Sequence, residues 1–469
     1  MLRRSMGKLA CVLVLGALVA TGCGSSSRKS DSSSGTSTTA AGSTASTKFG
    51  DLDSPCGKGT AKGATDQGVT DTAITVEYGD DAGFTASPGL NKEMGDAMKG
   101  MLKWCNDQGG ILGRQVTGVY GDAAITAVNT KMQEACKTAF MLVGTGWALD
   151  GASEATRLQC GLPAVPGFAV SPEYANGPMM YQAVPNPADQ TPASNVYEAA
   201  QLWPDKIKKA DIVHSTLVSA TETSSAKVRQ AGDQAGFHWL DCGVTLNYNG
   251  EADYKPFAQK FQSCGAEILF LNLSPGPVVY GLIQAMDQLN YHPTILGEAN
   301  LYSPQMSKWN TAGLADNLYV REAFQPLENA DLIPAVKTYL DAVKATGGDA
   351  SQLGEQTASS FLLWATVAKG CGSTLTRQCM INGLAKVHKW TGGGLHSPAD
   401  PGANTPPTCG LLIKLTKTTY AQSFPTKRGT LDCNDKYGVK LSGAAISTAL
   451  GPDRIATKFL TGKELKPQG

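Results

Sequence analysis

Stretches that read as strands alternate with stretches that read as amphipathic helices, twice over, and this restricts the fold more than any other feature of the chain. Residues 73–79 (AITVEYG) read as a strand that opens into Asp80, Asp81, Ala82 and Gly83. Met94, Ala97, Met98, Met101, Leu102 and Cys105 then form one apolar face at helical spacing over 91–107, and Gly109 and Gly110 mark its end. The pattern continues with a strand at 115–121, a helix at 127–138, a strand at 139–144 (AFMLVG), a helix at 149–159 and the run LPAVPGF. A crossing rich in proline follows (Pro185, Pro187), and the alternation resumes. Strands are expected at 210–215 (ADIVHS), 238–246 (HWLDCGVTL), 267–273 (EILFLNL) and 293–298 (PTILGE), and helices at 190–202, 222–236, 254–264 and 276–290. Strand–helix alternation with short turns implies parallel sheets with right-handed crossovers. The expected fold is therefore α/β, with two doubly wound parallel-sheet lobes joined by a hinge. Helices then cluster at 330–345, 355–369 and 375–387, and one hairpin is expected across LLIKLTKTTYAQSF.

The first 48 residues stand outside that pattern. Arg3, Arg4 and Lys8 precede an apolar run from Leu9 to Ala20, then Thr21, Gly22 and Cys23. A charged start, an apolar stretch and a small-residue end form a secretory leader, here 1–22. The run is too short to span a bilayer as a helix. The ending Ala20-Thr21-Gly22-Cys23 resembles a bacterial lipobox, which makes Cys23 the expected site of lipidation and the first residue of the mature chain. Residues 23–48 are nearly all Ser, Thr, Gly and Ala, too poor in apolar surface to offset the entropy of ordering, and are expected to be a flexible tether. The expected location is the extracytoplasmic face of the cell membrane.

Ten of the twelve cysteines lie beyond Cys11 and Cys23. An even number in an exported chain reads as a disulfide framework. Element placement suggests the pairs. Cys136 and Cys160 end consecutive helices; Cys56 precedes the first strand and is left for Cys105 at the first helix's end. Cys242 and Cys264 lie in adjacent elements, and Cys371 with Cys379 and Cys409 with Cys433 close local loops. No Cys-x-x-Cys occurs and His388 and His396 are isolated, so no metal or other cofactor is expected. A formal charge of zero offers no basic field for a phosphate backbone, which argues against nucleic acid as a partner. Gly-x-Ser-x-Gly, Walker, His-Glu-x-x-His and Gly-x-Gly-x-x-Gly motifs are all missing, and the five histidines have no evident carboxylate partner, so an enzyme is not expected.

The segments GVTDTAITVEYGDDAG, WCNDQGGILGRQVTGVYGDA and GEADYKPFAQKFQSCGAEILFLNLSPG, in that order around the Pro185 crossing, resemble the leucine-binding-type periplasmic proteins that serve branched-chain amino acid ABC importers. The resemblance spans roughly residues 68–420. It implies lobe 1 from 49–187 and 318–408, lobe 2 from 188–317, and a C-terminal hairpin and tail, 409–469, near the hinge and lobe 2. It also implies a monomer that captures a small molecule, an amino acid or related amide or aromatic compound, by hinge closure and passes it to an ABC permease. The alternative is a sensor that signals occupancy to a membrane partner.

Doubly wound sheets bind ligands at the carboxyl ends of their strands. The residues expected at the ligand are Asp81, Trp147, Ala148, Phe168 and Val170 in lobe 1, and His214, Asn272, Ser274, Glu298 and Asn300 in lobe 2. The resemblance places Glu298 where amino acid binders hold an ammonium group; a solvated turn carboxylate or helix-capping acid is the other reading. Family members carry hydroxyls after the third strand, where this chain has Thr145 and Trp147. Trp147 is either a large cleft wall or part of the lobe 1 core.

Overall fold

The computed structural model describes residues 48–216 and 218–468. The expected leader, Cys23 and the tether up to Thr47 lie outside them.

The first lobe is built on a four-stranded parallel sheet in the order Gln115–Asp122, Ala73–Asp80, Met141–Val143, Ala164–Val165. Helix Lys92–Asp107 buries Met94, Ala97, Met98, Met101 and Cys105, the apolar stripe read from the sequence, and packs against helix Gln352–Cys371 in the same core. The second sheet runs Thr419–Phe424, Cys409–Thr416, Leu318–Glu322, Thr294–Gly297, Ile268–Leu271, Ala210–Ile212, with Asp432–Cys433 paired beside Cys409. Its four central and inner strands are parallel, and the expected hairpin adds the antiparallel edge. The runs ILFL and TILG are buried throughout, as strands covered on both faces by helices must be.

Three expectations change. Leu318–Glu322 (LYVRE) pairs in parallel with Thr294–Gly297, so it belongs to the second sheet, and the return to lobe 1 falls after Glu322 rather than at residue 317. Its burial alternates, with Leu318, Val320 and Glu322 inward. The segment 238–246 is not one strand: only Thr245–Leu246 pairs, with His214–Ser215, beyond a bridge at Trp239. Asp241 and Gly243 hold positive φ values of 52° and 67°, which break an extended run there. Third, the tail stays by lobe 2 only as far as Ile446. Gly438–Lys440 pairs with Gln190–Pro192, and Ser442 meets Gln230. Beyond it Arg454 grips Asp189 through two bonds of 2.7 and 2.8 Å, and Ala456 N–H donates to the Asn176 carbonyl. Phe459 and Leu465 then pack on the lobe 1 core. The tail is thus a fourth passage between lobes, added to those at 183–193, 322–324 and 399–409.

The disulfides join Cys56 to Cys105, Cys136 to Cys160, Cys242 to Cys264, Cys371 to Cys379 and Cys409 to Cys433, the same pairs that element placement suggests. Their sequence separations differ, from 8 for Cys371–Cys379 to 49 for Cys56–Cys105. In the chain-entropy model the longer loop constrains the unfolded chain more, by about 4 against about 2.5 kcal/mol. Replacing Cys56 and Cys105 together by Ser is therefore expected to lower stability more than replacing Cys371 and Cys379, as read from denaturant midpoints. The reverse order would contradict the entropic account.

Candidate functional site

Strand-end loops from both sheets enclose one cavity of about 270 Å³. Lobe 1 contributes Phe84, Ser87 and Leu90 from the loop after Ala73–Asp80, Ala148 from the loop after Met141–Val143, and Phe168 and Val170 after Ala164–Val165; Leu353 and Gln356 reach in from helix Gln352–Cys371. Lobe 2 contributes Lys227 and Val228 from helix Val218–Ala235, with Tyr248, Asn272, Ser274, Val278, Glu298, Asn300 and Arg321. Contacts close the seam between the lobes. Ser87 Oγ donates to the Pro275 carbonyl (3.1 Å), Gln305 Nε2 donates to the Gly89 carbonyl (2.9 Å), and the Phe84 and Tyr248 rings stack with centroids 6.1 Å apart.

Of the expected residues, the structure brings together Ala148, Phe168, Val170, Asn272, Ser274, Glu298 and Asn300 around this cavity. Asp81, Trp147 and His214 do not line it. The Asp81 carboxylate accepts backbone N–H bonds from Ile125 and Ala148, both 2.7 Å, and so ties three strand-end loops together. Burial raises its pKa, and the two bonds oppose that. Asp150 does the same one loop on, accepting from Val170 (2.7 Å) and Ser171 (2.9 Å). Trp147 is 1% exposed and packs in the lobe 1 core with Val128 and Met132, its Nε1 donating to the Gly121 carbonyl at 3.0 Å. Gly79 and Gly121 leave the slot it fills: a Cβ on Gly79 would lie 2.8 Å from the indole nitrogen. Two glycines at neighbouring strand ends are the signal that the sequence carried. His214 Nδ1 lies 2.7 Å from Glu222, away from the cavity.

Glu298 lines the cavity, but it does not stand free. Its Oε2 accepts from Arg321 Nη2 (2.5 Å) and Nε (3.2 Å), which spends most of its charge within the protein. Arg321 went unnoticed because its strand did; the outward positions of LYVRE point it at Glu298. Lys227 also went unnoticed, since one lysine in an amphipathic helix carries no signal. Its Nζ donates to the Pro187 carbonyl (2.7 Å) and to Asn186 Oδ1 (3.0 Å), both neutral groups of the first crossing. Burial, with Arg321 nearby, pushes its pKa down to about 7. Among the described residues it has no ion pair. Asn272 Oδ1, Asn300 Oδ1 and Gln356 Oε1 are buried acceptors that receive no hydrogen bond among the described residues. The Asn272 orientation is set by its Nδ2, which donates to the Thr221 carbonyl (2.7 Å).

Behind the cavity, Glu322 at the end of its strand and Glu355 on helix Gln352–Cys371 are buried, and neither carboxyl makes a hydrogen bond among the described residues. Burial drives both pKa values well above 4.5; Glu322 and Glu328 raise that of Glu355 further, while Arg321 opposes the rise at Glu322 and Glu298 and Glu328 add to it. A carboxyl kept protonated in the folded chain favours folding below the unfolded value of 4.5 and costs stability as pH climbs past it, up to about 1.4 kcal/mol per pH unit. Glu355→Gln is expected to melt with the parent at pH 4 and above it at pH 7.5. A parent that is the more stable at pH 7.5 would contradict this.

A family model described as "Periplasmic binding protein" matches residues 78–418. Among solved structures, a fatty acid ABC transporter substrate-binding protein from Thermomonospora curvata aligns with a TM-score of 0.64 at 16% identity, covering 80% of this chain and 95% of that one. An ABC transporter solute-binding protein from R. palustris, in complex with 4-hydroxybenzoate, aligns at 0.60 and 15%, covering 75% and 96%. The branched-chain amino acid substrate-binding protein LivJ from Streptococcus pneumoniae, in complex with isoleucine, aligns at 0.57 and 14%, covering 75% and 99%. At such identities the likeness establishes the shared fold. No curated protein matches the chain significantly.

Proposed function

Because the chain belongs to the periplasmic binding protein family, whose members bind solutes and are not enzymes, we propose that it captures a small molecule by closing its lobes and delivers it to an ABC importer. The observation that carries this reading is the cavity of about 270 Å³ lined from both lobes, with the Ser87–Pro275 and Gln305–Gly89 bonds across the seam. A ligand there touches both lobes only when they are closed, and differential contact is what shifts an open–closed equilibrium. The walls combine apolar side chains (Phe84, Phe168, Val228, Val278, Leu353) with a polar end at Lys227, Glu298 and Arg321. A ligand with an apolar body and one polar head suits them. The ligands named in the related structures, a fatty acid, 4-hydroxybenzoate and isoleucine, share that plan.

The sequence of residues 1–48, with its expected leader and tether, supports capture at the outer face of the membrane. No helix of the described residues is long and apolar enough to cross a membrane. A lipid on Cys23 would hold the receptor beside its importer and raise its local concentration. Mass spectrometry of the native protein is expected to find the N-terminus at a lipid-modified Cys23, and Cys23→Ser is expected to release the chain from membranes. An unmodified N-terminus elsewhere would remove the anchor from the account.

Capture itself is tested by thermal shift against a library of small acids, amides, amines, amino acids and polyols. A true ligand at 100 times its dissociation constant adds about 2.7 kcal/mol and raises Tm. Val278→Asp, which sets a charge on an apolar wall, is expected to weaken a hit at least tenfold with Tm of the free protein little changed. A library without a single protecting compound contradicts the reading.

A further inference from the structure

Of the two cations of the cavity, Lys227 has no ion pair with an acid among the described residues. Glu298 pairs with Arg321. Asp189, the acid closest in sequence to the Lys227 contacts, is held by Arg454 Nε and Nη2. Glu222, on the same helix as Lys227, faces His214. Among the described residues Lys227 is left with carbonyl and amide oxygens alone, and it is 5% exposed. A buried ammonium without a counter-charge is costly, and a fold tolerates one where something else supplies the charge.

Resting on the capture reading, we propose that the ligand is a monocarboxylate with an apolar body, its carboxylate held by Lys227 beside Arg321. The carboxylate sits where the first crossing meets lobe 2, since Lys227 is bonded to Asn186 and Pro187 and Arg321 to the loop after Thr294–Gly297. From there the body runs along Phe84, Phe168 and Leu353 of the opposite lobe. Asn272 Oδ1 and Asn300 Oδ1 are open acceptors for a donor on the ligand, such as a hydroxyl. The arrangement also explains why a lysine serves here. The groups that face it are Arg321, which lowers its pKa, and Asp189 and Glu298, which raise it; burial dominates and leaves the value at about 7. An arriving carboxylate stabilises the ammonium form. Binding therefore takes up protons near neutral pH and weakens as pH rises through the range above 7.

The test uses the mature chain without its lipid and four acids (4-methylpentanoate, octanoate, benzoate, 4-hydroxybenzoate), their primary amides, and leucine, in thermal shift and calorimetry. At least one acid is expected to protect while its amide does not. Lys227→Gln is expected to weaken that acid by roughly tenfold or more and to remove the preference over the amide. Lys227→Arg, which keeps the charge at every pH, is expected to retain the preference at pH 9, where the parent has largely lost it. Calorimetry of the parent at pH 7.5 in buffers of differing ionisation enthalpy is expected to show net proton uptake, a readout that does not depend on any variant folding. An amide that protects as well as its acid, or a Lys227→Gln protein that keeps the preference, overturns the clamp. Protection by neutral compounds or amines alone also overturns it while leaving capture intact. No protection by any compound of the wider library contradicts capture itself.

Discussion

A parallel sheet forces every strand to leave by the same edge. Each must be followed by a crossover that starts again at the far side, so the loops after the strands gather along one rim. In this chain two such rims face one another, and the rest of the architecture serves to keep them aligned. Within lobe 1 the rim is held by carboxylates: Asp81 bonds two neighbouring loops through their N–H groups, and Asp150 bonds a third through two consecutive N–H groups. Phe168, Ala148 and Val170 stand in the cavity because those backbone bonds fix the loops that carry them.

Between the lobes the chain passes three times, as the strand order requires, and its tail makes a fourth passage. That passage lies beyond residue 418, where the family match ends. Arg454 on the tail, Asn176 of lobe 1 and Lys227 of lobe 2 all bond to the stretch 186–189. One short segment thus joins the hinge, the tail and the cationic end of the cavity. A charge that changes at Lys227 is felt where the lobes pivot, which couples the chemistry of the ligand's head to closure.

Most of the fold was legible because two periodicities are hard to confuse over ten or more residues. The stripe from Met94 to Cys105, the buried runs ILFL and TILG, and the hairpin after Cys409 each appear where the pattern puts them. The disulfides were legible once the elements were, since helix and strand ends limit which cysteines can meet. What failed was short or depended on partners distant in sequence. LYVRE is a five-residue strand before a group of helices, and its omission hid Arg321. The role of Trp147 was set by Gly79 and Gly121, whose missing side chains matter only when two strands lie side by side. Glu298 was placed at the site, but its charge is decided by Arg321, 23 residues away. Position on a rim can be read from sequence; the ion pair that a rim residue makes cannot.

The central claim is that one cavity closes around a ligand that touches both lobes. Small-angle X-ray scattering of the free protein and of the protein saturated with a protecting ligand tests it directly. The account predicts that the free protein has a larger radius of gyration than the closed structure and that ligand brings the two into agreement. A radius that matches the closed structure without ligand and does not change when ligand binds would contradict it.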